Sequence, residues 1–257
     1  MKKELHIIAL RTVRHTDRHS ILTAYSLELG RVAFAIPAGA GREALRRRAL
    51  LMPLALVECV ADIRPGREVM IMHEPRAEEP LTSLRTNPVK SSLDALAQDA
   101  ALAKDPDILL RDRAEVLGVV LRDGPPDELS YAYIHNAVTL LDRLPTGSVA
   151  NFHLMFLYGL GRFLGIEPDV SGYRQGMVFD MLDGRFRLSA PMHRHYLDPV
   201  QSGAVVALSR MNPANMHLFK MSRHERNQLL DGILQYYSLH YTGLQSLRSL
   251  DVLRELF

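Results

Sequence analysis

His193 and His195 are the residues whose type and spacing most invite chemistry, with Asp198 three positions further on. On a strand, one intervening residue puts both imidazoles on the same face, an arrangement that suits zinc or copper, and the carboxylate offers a third donor. No HExxH pattern occurs, and Met192–Tyr196 reads as an exposed loop rich in Arg and Tyr. The pair is therefore expected to be solvated or to contact an anion, and no metal or other cofactor is assigned. Cys59, the only cysteine, lies in an apolar strand pattern, which suits a small hydrophobe better than a nucleophile. One thiol also excludes an intramolecular disulfide and a Cys-rich zinc ribbon, and it fits a reducing cytoplasm.

The remaining enzymatic patterns fail on composition. Ala38-Gly39-Ala40-Gly41-Arg42 is glycine-rich but lacks the Gly-Lys-Ser/Thr that grips phosphate and magnesium. Gly159-Leu160-Gly161 sits inside a helical pattern, where close packing explains it better than a dinucleotide turn. No Gly-x-Ser-x-Gly elbow is present, and Asp180 and Asp183 flank a turn that accounts for both. No catalytic residue is assigned, and the chain is not expected to be an enzyme. A metal-dependent nuclease or deaminase using the histidines stays open as a lesser reading, to be tested by metal analysis and chelation.

Charge gives the positive signal. Residues 1–48 hold ten Lys and Arg against four acids, a net of +6, whereas residues 49–80 carry a net of −3. Such asymmetry suggests a polyanion-binding face, although basic surface runs are also common in proteins that bind nothing. Its candidate residues are Arg11, Arg14, Arg18, Arg31, Arg42 and the run Arg46-Arg47-Arg48. Base stacking is poorly supplied: there is no Trp, and the first 80 residues have only Tyr25 and Phe34 as aromatics. Phe34 alternates with Val32 and Ile36, so core packing is its expected role. Binding should be dominated by phosphate contacts, salt-sensitive and weakly sequence-dependent.

The elements that must carry these side chains follow from periodicity. Leu5, Ile7, Ala9 and Val13 share a face by alternation. Ile21–Leu29 continues as strand, and Gly30-Arg31 turns the chain into Val32–Ile36. Leu54–Val60 and Glu68–His73 complete five strands, which fit a small OB-fold barrel. Arg42–Leu50 reads as a short helix or a mobile arm. Helical periodicity covers 88–103, 107–122, 128–143 and 149–164, the last with a Val149, Phe152, Phe156, Leu160, Phe163 stripe. Asp183-Gly184 predicts a hairpin between Met177–Asp180 and Arg185–Leu188. Ser222 and Glu225 form a capping box ahead of Leu229, Leu230, Ile233, Leu234, Tyr237 and Tyr241, and Leu244–Phe257 forms a final amphipathic piece. The expected class is α+β: an OB-fold DNA-binding domain at 1–80, then a mainly helical domain at 81–257 with a hairpin insert near 172–198. No targeting segment and no apolar stretch of about 18 residues is found, so a cytoplasmic location is expected.

Several stretches carry a family resemblance. Ile8-Ala-Leu-Arg-Thr-Val-Arg14, Ser20-Ile-Leu-Thr-Ala-Tyr-Ser26 and Leu29-Gly-Arg-Val32 are similar to the barrel start of the RecO family of recombination mediators. Met52-Pro-Leu-Ala-Leu-Val-Glu58 resembles that family's Gln-Pro strand, with methionine for glutamine. Ala150–Leu157 and Arg162–Asp169 resemble its long helix and Leu-Gly-x-x-Pro exit. Tyr236-Tyr-x-Leu-His240 through Ser246–Phe257 is the most specific match.

The resemblance implies a DNA-repair protein, associated with the nucleoid, that binds single- and double-stranded DNA and anneals complementary strands. It implies RecR and the acidic tail of single-stranded-DNA-binding protein as partners, and RecA as the recombinase loaded. The barrel arginines would contact DNA, and Phe156 with Arg162 would take the acidic tail in an apolar groove edged by a cation. Many members carry a four-cysteine zinc module after the long helix; Gly172–Asp198 here has no cysteine, so no zinc is expected. The stretch Leu93–Arg113 is longer than the family pattern and Ala-rich. The alternative is an OB-fold adaptor that binds only protein partners.

Overall fold

The computed structural model describes residues 1–64, 66–86, 117–118, 120–121 and 125–241. The helical stretches read at 88–103 and 107–122, and the amphipathic piece at Leu244–Phe257, lie wholly or mostly outside the described residues. The described residues divide into two compact units, 1–143 and 144–241.

In the first unit, β1 (Lys2–Arg14), β2 (His19–Ser26), β3 (Gly30–Pro37), β4 (Leu56–Asp62) and β5 (Val69–Ala77) close into a barrel of order β1-β2-β3-β5-β4. All neighbours are antiparallel except β3 and β5. The helix α1 (Arg42–Leu50) links β3 to β4, so of the two readings of that segment the helix is the one formed. The expected α+β class and five-stranded barrel are what the chain adopts. Alternation drives closure: Leu5, Ile7, Leu22, Val32, Phe34 and Val57 point inward and are almost fully buried. Each such side chain contributes about 1.5–3 kcal/mol by leaving water.

One expected position is wrong. Val13 is 45% exposed and does not share the inward face of Leu5, Ile7 and Ala9. Ala9 pairs with Ala24 while Arg11 pairs with Thr23, so Leu10 is an extra residue, a β-bulge. A bulge inverts the alternation beyond it, which turns Arg11 and Val13 outward.

Among the described residues this unit also holds α2 (Thr82–Thr86) and α3 (Glu128–Arg143); the bounds of α3 match the sequence reading. The Asp127 carboxylate accepts from the Leu129 N–H at 3.0 Å and caps the first turn of α3. Its apolar face lies on the barrel, with Tyr131 stacked on Tyr25 at 6.5 Å between ring centroids. The His135 imidazole lies 3.1 Å from Glu78.

In the second unit, α4 (Phe152–Phe163), α5 (Pro199–Ser209) and α6 (Arg223–His240) accompany a three-stranded sheet. The sheet is β6 (Val178–Asp180), β7 (Arg185–Arg187) and β8 (Tyr196–Leu197), in the order β7-β6-β8. The predicted hairpin is present, and β8 adds a strand where a loop was expected. Ser222 and Glu225 form the predicted capping box on α6. Tyr237 and Tyr241, expected on an apolar stripe, use their hydroxyls: they donate to the carbonyls of Leu157 and Leu164, and Tyr236 donates to that of Ile166. The Leu164 and Ile166 carbonyls lie just beyond the end of α4, where helices leave acceptors unfilled, and that of Leu157 lies within the helix. Gly184 has φ +66°, and a Cβ there would stand 2.8 Å from the Tyr236 hydroxyl, so the Asp183-Gly184 turn requires glycine twice over.

Candidate nucleic-acid interface

The bulge at Leu10 creates the outer wall of the barrel as a surface. Register places Val13 beside Ile21, Ile21 beside Ala35, and Ala35 beside Ile71, one row across four strands. Arg11, Thr23, Ala33 and Val69 form the next row. Val13, Val69 and Ile71 are each more than one-third exposed. In an OB-fold this strand 2–3 wall, between the β1–β2 and β4–β5 loops, is where nucleic acid lies.

Both loops bring cations to it. Arg14 and Arg18 are exposed on the β1–β2 loop, with Arg14 paired to Asp17 at 3.0 Å. The sequence reading missed Arg64 and Arg67, exposed on the β4–β5 loop. Arg64 is held at 2.9 Å by Asp62. Those two lie in the segment of net negative charge, and only the register shows that their loop borders the wall. Arg11 is exposed on the wall itself. Arg31 lies opposite Tyr25, at the far end of the β2–β3 hairpin from Arg18.

The α1 arginines approach through a specific link. The Ala38 N–H donates to the Arg18 carbonyl at 2.8 Å, which ties the entry to α1 to the β1–β2 loop. Arg42, Arg46 and Arg48 are exposed; Arg48 donates to the Gly39 carbonyl at 3.0 Å, and Arg47 lies 3.8 Å from Glu43. The structure thus gathers Arg14, Arg18 and the α1 arginines at one end of the barrel and leaves Arg31 at the other. Neither aromatic is offered for stacking: Phe34 is wholly buried and Tyr25 is 5% exposed beneath Tyr131. The Cys59 thiol is buried in the barrel core, and burial pushes its pKa up to about 12, so it is not a nucleophile.

Between β1 and the β2–β3 turn, the His6 Nδ1 lies 2.8 Å from Glu28, whose carboxylate also accepts from the His6 N–H at 3.1 Å and the Ser26 hydroxyl at 2.7 Å. The Glu28 hydrogen bond raises the His6 pKa against the effect of burial. Burial opposes ionisation of Glu28, yet the bonds from His6 and Ser26 hold it below its ordinary value.

The second unit places the other candidates. His193 Nε2 lies 3.3 Å from Asp180, and the His193 and His195 ring centroids are 6.2 Å apart. Asp198 is a helix cap: its side chain accepts from the Val200 and Gln201 N–H groups at 2.8 and 2.9 Å. Asp180 is also more than a turn residue. It is 1% exposed, accepts from the Leu182 and Asp183 N–H groups, and receives Arg187 Nε at 2.7 Å. Burial pushes its pKa up, but the two amides, Arg187 and His193 together hold it below the ordinary aspartate value. Among the described residues no three His, Cys, Asp or Glu side chains are arranged to hold a metal, and a four-thiolate zinc module does not fit a segment without cysteine.

Two cavities are built within this unit. One, of about 380 Å³, lies at the start of α6 and is lined by Asn151, His217, Phe219, Lys220, Ser222 and Arg226 among others, with no carboxylate among its described lining residues. Asn151 is 3% exposed; its amide donates to the Met216 and Phe219 carbonyls while its own oxygen has no partner. The other, about 600 Å³ and mostly apolar, runs between α4, α5 and α6 with Glu225 and Asp231 on its lining. Phe156, stacked on Phe152 at 6.2 Å, and the exposed Arg162 line neither. Among the described residues no helix is long and apolar enough to cross a membrane.

No family model matches the chain. Curated relatives do. The chain is 36% identical over 250 residues to the DNA repair protein RecO of Phocaeicola vulgatus, covering 97% of both chains. It is 35% identical over 251 residues to that of Bacteroides fragilis and 31% identical over 254 residues to that of Porphyromonas gingivalis, again with 97% of each chain covered. An α+β chain with an arginine-edged five-stranded barrel, matched along nearly its whole length by these proteins, belongs to the RecO family of DNA repair proteins.

Proposed function

We propose that the protein is a DNA repair and recombination mediator and not an enzyme. Its barrel binds single- and double-stranded DNA, and it anneals complementary strands. With RecR it helps load RecA onto strands coated by single-stranded-DNA-binding protein. The observation that carries the DNA half is the outer wall bordered by Arg14 and Arg18 on one loop and Arg64 and Arg67 on another, with Arg11 on the wall. Phosphates would meet these guanidiniums, and with Arg42, Arg46, Arg47 and Arg48 nearby a strand could be followed off the wall. Arg31, at the other end, would make a separate contact.

The acidic, Phe-ending tail of single-stranded-DNA-binding protein is assigned to the helical unit. The cavity at the start of α6 offers Lys220 and Arg226 for carboxylates, Phe219 for an apolar side chain and the unpartnered Asn151 oxygen for a peptide N–H. Phe156 and Arg162 remain the competing position on α4.

The test is binding to a labelled single-stranded oligonucleotide across a salt series, with strand annealing followed in the same samples. Replacing Arg46, Arg47 and Arg48 with alanine is expected to weaken binding and lower the salt slope by about 1 per lost phosphate contact. Replacing Arg64 and Arg67 should do the same. An unchanged slope in both variants would move the footprint off the barrel. The aliphatic character of the wall favours a second reading, an OB-fold adaptor binding only protein; absence of DNA binding at low salt would select it.

A further inference from the structure

The three-stranded insert holds an element that the barrel reading does not use. Residues 188–195 join β7 to β8, and on this loop Met192 is fully exposed and Leu188 is 83% exposed. The loop is not loosely held. The Met181 N–H donates to the His195 carbonyl at 3.0 Å, His193 contacts the buried Asp180, and Asp180 binds Arg187 at the other root of the loop. Beneath it Phe179 packs on Phe186 with centroids 5.1 Å apart, and Phe186 packs edge-on against Tyr173 at 4.9 Å. A scaffold pinned this way presents two large apolar side chains to water.

Charge selects the partner. From Gly184 to Leu197 there are three arginines, two histidines and no acid. Arg187 is engaged by Asp180 and Asp183, while Arg194, between the two histidines, is exposed with no ion-pair partner among the described residues. Exposed apolar side chains beside unneutralised arginine are the equipment by which proteins enter the minor groove and part a base step. An apolar protein surface would satisfy Leu188 and Met192 but would strand Arg194.

We propose that the 188–195 loop is a second DNA-contacting element, which grips duplex DNA through Arg194 and unstacks bases with Leu188 and Met192. The inference rests on the DNA-binding reading above. Bases parted by the wedge are exposed for exchange with another strand, which gives the helical unit a direct part in annealing.

The experiment uses the full chain and a short duplex with a central 2-aminopurine, whose fluorescence rises on unstacking. The unaltered protein is expected to raise the signal and the Leu188→Ala/Met192→Ala double variant to lose most of that rise. Affinity should stay within about threefold, because phosphate contacts dominate it. Arg194→Ala should lower the salt slope by about 1. Unchanged circular dichroism would exclude misfolding, since both apolar side chains are at the surface. If the unaltered protein binds duplex and the double variant unstacks it equally well, the wedge is overturned and the barrel reading stands. If the unaltered protein binds no DNA, both fall. Loss of poly-glutamate binding in the variants with DNA behaviour intact would overturn the wedge in favour of an acidic protein partner.

Discussion

The barrel and the three-stranded insert are both small β-structures, and they are held together by opposite means. The barrel has five strands of seven to thirteen residues with inward rows of aliphatic side chains and Phe34 at the centre. The strands of the insert are two and three residues long, too short to close a core of their own. The buried carboxylate of Asp180 takes that place, joining the β6–β7 turn, Arg187 and His193. A sheet with enough apolar area needs no polar hub; one without it must be cross-linked, and here a charged hydrogen-bond network does the cross-linking.

The comparison is sharpest in the barrel centre. Phe34→Ala is expected to cost about 3–5 kcal/mol, because a fully buried ring leaves a cavity that a closed barrel cannot collapse. Chemical denaturation followed by hydrogen exchange should show the loss across all five strands. Asp180→Ala should cost less than Phe34→Ala, because the Arg187 it leaves unpaired is half exposed and can be hydrated. The loss should be confined to residues 178–197. Equal loss of exchange protection in both regions would mean that the insert is not an independent polar knot.

Acid and base should separate the two regions next. The Asp180 pKa is lower folded than unfolded, so its stabilisation is present above the unfolded value of about 4 and is lost as pH falls through the folded one. The insert should therefore loosen on acidification. The His6 pKa is raised, so its contribution is complete below about 6.5 and is lost as pH rises through the folded value. Glu28, with a lowered pKa, adds the opposite limit at low pH, so the pair is strongest between the two. Histidine NMR titration with hydrogen exchange at acidic, neutral and alkaline pH checks both signs. The smallest effect concerns Cys59: at pH 8 it should react with Ellman's reagent only at the rate of barrel unfolding, its thiol being buried and pushed up to about 12.

The outer wall of the barrel turns on one residue. Alternation placed Val13 inside, and the bulge at Leu10 put it outside together with Arg11, thereby making the wall. Bulges depend on how two strands meet, and Leu10 looks like any other strand residue in sequence. Arg64 and Arg67 were missed for a related reason: charge summed along the chain cannot show which loops flank one surface.

By itself the sequence determined what is local. The extent of α3, the Ser222–Glu225 capping box, the Asp183-Gly184 turn and the inward rows of the barrel each rest on residues within about four positions of one another or on simple alternation. Tertiary structure alone decided what depends on distant partners. It sent the tyrosine hydroxyls at the end of α6 to carbonyls 70 to 80 residues away and made Asp180 a buried hub. Hydrogen-bond satisfaction in a buried group is settled by whichever donor or acceptor the fold brings within about 3 Å, and no local pattern of residue types encodes that.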